Sequence, residues 1–61
     1  MGKLTVRELE LMEEQLNLES LLVKKYKLLA ENVQDTNIRT KLEQTAANHQ
    51  NHLDKLLTHL N

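Results

Sequence analysis

Apolar side chains recur along the first half of the chain at alternating steps of three and four residues. This spacing places them on one face of an α-helix, which has 3.6 residues per turn. The stripe, here called the first seam, comprises Leu9, Met12, Leu16, Glu19, Val23, Tyr26, Ala30 and Val33. A second stripe beside it, the leucine row, comprises Leu4, Leu11, Leu18, Leu22 and Leu29. Thr5 and Glu8 have capping-box spacing, so the pattern predicts a helix over about residues 5–33.

The second half of the chain carries one apolar stripe with the same helical spacing. This second seam comprises Ile38, Leu42, Thr45, His49, Leu53, Leu56 and Leu60. The predicted turn covers residues 34–36, which lie in the one cluster of turn-forming and cap-forming residues in the sequence. Either Asp35 or Thr36 can cap a second helix over about residues 37–60. A turn this short forces the helices antiparallel, so the sequence predicts a single all-α domain, a helical hairpin.

The apolar surface of the first helix is wider than one neighbouring helix can cover. The first seam and the leucine row together span roughly 180° of the helix. A chain of about 60 residues also rarely stabilises itself without disulfides, metal or oligomerisation. We therefore expect two hairpins to pair as a homodimeric four-helix bundle with two-fold symmetry. Leu21 and Leu28, seven residues apart on the otherwise polar face, leave a larger assembly open.

Composition excludes several classes of protein. There is no Cys for a disulfide or thiolate metal site, and Gly2 is the only glycine, so a glycine-rich phosphate loop is excluded. The net charge of −1 favours neither nucleic acid nor an acidic membrane as a partner. The longest uncharged apolar run, Leu21–Val23, is far too short for a membrane span. Because the N-terminus shows no signal-peptide pattern, we expect an intracellular protein.

Polar residues interrupt both seams at one level. In a hairpin that turns near Asp35, residues whose numbers sum to about 70 lie side by side, which places Glu19 opposite both His49 and His52. A buried carboxylate needs a partner. The cluster could be a hydrogen-bonded polar layer that sets the register, or it could ligate Fe, Mn or Zn, which suit mixed oxygen and nitrogen ligands. We expect one ion per dimer or none. We expect no catalytic or other cofactor-binding residues, because Cys is absent and Ser20 lies near the polar boundary of the first helix, so the sequence cannot assemble a nucleophile with its activating partners.

The two runs Arg7–Tyr26 and His49–Leu60 resemble spore-coat proteins of the coat-protein-F type, which belong to the ferritin-like superfamily. The resemblance covers essentially the whole chain, although larger relatives carry a full four-helix bundle and this chain only half of one. It implies a spore-coat or sporulating-cell location, with other spore-coat proteins as partners. Compared with ferritin-like di-iron sites, Glu19 matches the glutamate, but the Glu-x-x-His motif lacks its carboxylate: either His49 stands at that position or, if His49 is the histidine of the motif, Ala46 does. A dimer would supply two carboxylates where a di-iron site has four. Ferroxidase chemistry is therefore not expected.

Three functions remain open from the sequence. The first is a non-enzymatic structural protein of the spore that self-associates, which the resemblance favours. The second is a metal-binding half-bundle, which depends on Glu19, His49 and His52. The third is a small helical regulator that docks on a partner protein. The width of the apolar arc favours self-association over the third.

Overall fold

The computed structural model describes residues 4–60, which form two helices joined by a short turn. Helix α1 runs over Val6–Asn32 and helix α2 over Thr36–Thr58. The two helices pack against each other along a molecule of 47 × 17 × 11 Å. The all-helical hairpin is therefore confirmed, with helix bounds within one or two residues of those expected from the sequence.

Helix α1 begins with the capping box that the sequence predicts. The Thr5 hydroxyl accepts from the Glu8 backbone N–H at 3.0 Å, and the Glu8 carboxylate accepts from the Thr5 backbone N–H at 2.9 Å. The hydrogen bond from the Thr5 backbone N–H, with a further contribution from the Thr5 side chain, favours the ionised carboxyl group and lowers the pKa of Glu8. Two backbone N–H groups at the helix terminus thereby gain partners that the helix itself does not supply.

The turn is fixed by side chains from the start of α2. Of the two caps allowed by the sequence, the structure selects Asp35, whose carboxylate accepts from the backbone N–H groups of Asn37 and Ile38 at 2.9 and 3.0 Å. Arg39 reaches back across the turn and donates from Nε and Nη2 to the carbonyl oxygen of Val33, at the end of α1. This carbonyl lies beyond the last hydrogen bonds of α1, so the guanidinium group supplies the partner that the helix lacks.

The two seams face each other at the centre of the hairpin, but they bury little. Among the described residues, the buried apolar side chains are Val23, Ala30 and Ala46, and Glu19 is buried with them. Seam positions on either side of this level are half-buried, including Met12, Leu16, Tyr26, Leu42, Leu53 and Leu56. Three residues assigned to the seams, Leu9, Ile38 and Leu60, are exposed, because the seam ends have only one partner helix to contact.

The leucine row lies almost entirely outside this contact. Leu4, Leu11, Leu18 and Leu29 are exposed, and Leu22 is half-buried. Leu21 and Leu28, here called the outer leucines, are exposed on the opposite face of α1. Within residues 4–60, neither helix combines the length and the apolar character required to cross a bilayer.

Candidate metal centre

Glu19 lies in the first seam about halfway along α1, with its side chain only 5% exposed. The helical pattern turns it toward α2 because the residues one turn to either side, Leu16 and Val23, belong to the same apolar stripe. A carboxylate in this position loses most of its water, so its charge must be compensated by groups from the facing helix. The sequence supplies two such groups, both on α2.

His49 and His52 both direct Nδ1 at the Glu19 carboxylate. His49 Nδ1 lies 3.3 Å from both Oε1 and Oε2, and His52 Nδ1 lies 2.9 Å from Oε2. The two histidines are three residues apart and therefore share one side of α2. The structure thus brings together all three residues that the sequence singles out, and their ligand atoms lie within 4.8 Å of one another.

The two histidines differ in their access to water. The His49 side chain is 22% exposed, whereas that of His52 is 58% exposed. A carboxylate can only accept hydrogen bonds, so in the metal-free cluster each Nδ1 that bonds to it carries a proton. The buried carboxylate is satisfied in this arrangement, since every buried side-chain nitrogen and oxygen within residues 4–60 has a hydrogen-bond partner.

Tyr26 supports the cluster on its turn-proximal side. Its ring stacks on His49 with ring centroids 5.8 Å apart and an angle of 10° between the planes, while His49 and His52 meet edge to face at 5.7 Å. Lys25 Nζ lies 5.7 Å from the centroid of the Tyr26 ring. The sequence places Tyr26 in the first seam but does not predict the stack on His49. Its seam position, seven residues after Glu19, was the signal available.

The third histidine lies outside the cluster. His59 is the C-cap of α2, with its backbone N–H bonded to the carbonyl groups of Leu56 and Leu57.

The cluster contains one carboxylate and two imidazoles, from Glu19, His49 and His52, at mid-height between the helices. This set of ligands is suited to holding a divalent transition ion. Comparisons of the chain with protein-family models, with curated proteins and with solved structures find no match.

Proposed function

We propose that the protein is a non-enzymatic structural protein of the spore-coat kind, whose hairpin pairs with a second copy to complete a four-helix bundle. The observation that carries this proposal is the exposed leucine row on α1. An apolar stripe of this length on a small protein marks a surface that another protein covers. The spore-coat association is supported by the resemblance of the two runs Arg7–Tyr26 and His49–Leu60.

The shape of the hairpin supports an incomplete core. Its radius of gyration is 14.5 Å, whereas a compact chain of this length would have about 10.5 Å. Its accessible surface is 4965 Å², against about 4,100 Å² for a typical folded protein of this mass. The hairpin is an elongated rod with more surface than a self-sufficient domain of its size.

A second copy is the partner that this surface fits best. By the same scaling, a compact dimer would expose about 6,800 Å², so pairing two hairpins would bury about 3,100 Å² in total. That area falls in the range of obligate homodimers, about 2,000–5,000 Å². A two-fold interface also brings the same leucines from each chain into contact, which matches one apolar patch with another. The small net charge of −1 opposes pairing only weakly.

Sedimentation equilibrium at micromolar concentration tests the pairing. Leu18 and Leu29 are 49% and 42% exposed in the single hairpin, so replacing both with Glu should remove the interface while leaving the hairpin fold. The matched control replaces the outer leucines, Leu21 and Leu28, which are 64% and 60% exposed. We expect the wild type and the L21E/L28E control to be dimers and L18E/L29E to be a monomer.

The alternative outcomes are distinct. A wild-type chain that is folded and monomeric at this concentration would contradict the proposal. A wild type larger than a dimer, reduced to a dimer by L21E/L28E, would show that the outer leucines join bundles into a larger assembly. Dimers that persist in L18E/L29E would show that the leucine row is not the interface.

A further inference from the structure

We propose that Glu19, His49 and His52 form a divalent transition-metal site that is complete within one hairpin, so that each chain binds one ion. This inference goes beyond self-association and does not rest on it, because all three ligands belong to the same chain. It also differs in stoichiometry from the sequence-based expectation of one ion per dimer or none.

The spacing of the ligand atoms suits a small metal ion. Zinc bonds to histidine nitrogen and carboxylate oxygen at about 2.0–2.2 Å in tetrahedral geometry, which places neighbouring ligand atoms about 3.3–3.6 Å apart. The nitrogen–oxygen separations in the cluster are 3.3 Å for His49 and 2.9 Å for His52. All three residues can offer one ligand atom to the same ion, since these atoms lie within 4.8 Å of one another.

The kinds of ligand define the class of ion. Two imidazoles and one carboxylate suit Zn²⁺, Fe²⁺ or Mn²⁺, whereas Ca²⁺ and Mg²⁺ prefer oxygen ligands throughout. Three protein ligands leave at least one coordination position for water, as in open rather than structural zinc sites. The half-exposed His52 lies on the solvent side of the cluster, which gives an ion a path to the buried carboxylate.

The site is held in place by the fold before any ion arrives. Glu19 is fixed by its burial between the helices, and His49 by its stack on Tyr26. Because α2 carries both histidines on one side, binding costs little rearrangement of the backbone. The ion has to displace the Nδ1 protons that bridge to the carboxylate, so its binding competes with the hydrogen-bonded cluster.

Isothermal titration calorimetry, in which Zn²⁺ is added to the untagged, chelator-treated protein, tests the proposal. The variants are His52→Ala, which removes a half-exposed ligand and is compatible with folding, and Glu19→Gln, which keeps the side-chain shape. The matched control is His59→Ala, which removes a histidine of α2 outside the cluster. We expect one Zn²⁺ per chain, an affinity lowered by more than about tenfold in both ligand variants, and no change in the control. Circular dichroism without metal establishes that each variant is folded.

Three results would overturn the proposal. They are the absence of Zn²⁺ binding by the wild type, equal affinity in wild type and His52→Ala, and a stoichiometry of one ion per two chains. Absorption spectra of the Co²⁺-loaded wild type and control add a second readout, because a change in the metal's ligand field reports coordination directly. The L18E/L29E variant separates this proposal from self-association, since we expect it to retain one ion per chain as a monomer.

Discussion

His49 and His52 both contact Glu19, but we expect them to contribute very differently to the free energy of unfolding. The histidine that lies farther from the carboxylate should contribute more. His52 makes the shorter contact, at 2.9 Å, and His49 the longer ones, at 3.3 Å. His52, however, is mostly in water, whereas His49 is mostly enclosed. If burial decides the outcome, His49→Ala is the more destabilising change.

The expected magnitudes follow from these surroundings. His49→Ala removes a hydrogen bond to a buried, charged group, which contributes about 1.5–3 kcal/mol, and the stack on Tyr26, which contributes about 0.5–1.5 kcal/mol. Since His52 still bonds to the carboxylate, we expect a loss of about 2–4 kcal/mol in the free energy of unfolding. After His52→Ala, water can replace the lost donor, so we expect a loss below about 1 kcal/mol.

Urea denaturation followed by circular dichroism, with chelator present, measures both losses. All variants must be compared at one protein concentration, because self-association would shift the apparent stability. Repeating both substitutions in a Glu19→Leu background completes a double-mutant cycle. Without the buried carboxylate, which a leucine of similar size replaces within the apolar seam, His49→Ala should cost about 1 kcal/mol, leaving mainly the loss of the stack.

Two results would refute this reasoning. If His52→Ala costs as much as His49→Ala, hydrogen-bond distance rather than burial governs the cluster. If His49→Ala costs the same with Glu19 and with Leu at position 19, the carboxylate and the imidazole are not coupled. The stack on Tyr26 would then account for the whole effect.

Three further predictions concern the helix termini. Thr5→Ala should cost about 1 kcal/mol in urea denaturation through loss of the cap. The pKa of Glu8 is lowered in the folded state, chiefly by the hydrogen bond from the Thr5 backbone N–H, so the ionised carboxylate stabilises the fold above its unfolded-state pKa and this contribution disappears as the pH falls through the lowered value. Thr5→Ala keeps that backbone donor, so it is Glu8→Gln that should show a smaller loss of helix in an acid titration followed by circular dichroism. Asp35→Ala should cost about 1 kcal/mol and lower the melting temperature by about 4–8 °C, whereas Asp35→Asn should change it little. Arg39→Ala should free the Val33 carbonyl and cost about 1 kcal/mol, seen as faster amide exchange around the turn.

Periodicity and capping rules were sufficient to predict the hairpin, because each helix carries a continuous stripe and the turn contains the one cluster of cap formers. The antiparallel register then placed Glu19 level with both histidines, so the three residues of the candidate site could be named from the sequence. The choice of Asp35 over Thr36 as cap could not be made, since both residue types are favoured N-caps and the two positions are adjacent. The stack of Tyr26 on His49 depends on side-chain rotamers, which residue spacing does not determine. Leu9, Ile38 and Leu60 are exposed because the ends of each seam have only one helix to contact, and periodicity does not distinguish the ends of a stripe from its centre.

The contacts of Glu19 with the histidines join the two helices across the turn. The contact with His49 joins residues 30 positions apart and closes a ring that contains the turn. An ion held by these side chains would keep that ring closed in the folded chain, and it would stabilise the fold by mass action because the unfolded chain does not assemble the site. A chain without cysteine can thus obtain a reversible staple that responds to metal supply and chelators instead of redox potential. The staple would hold the turn-proximal half as a closed ring and leave the outer halves of both helices as free arms.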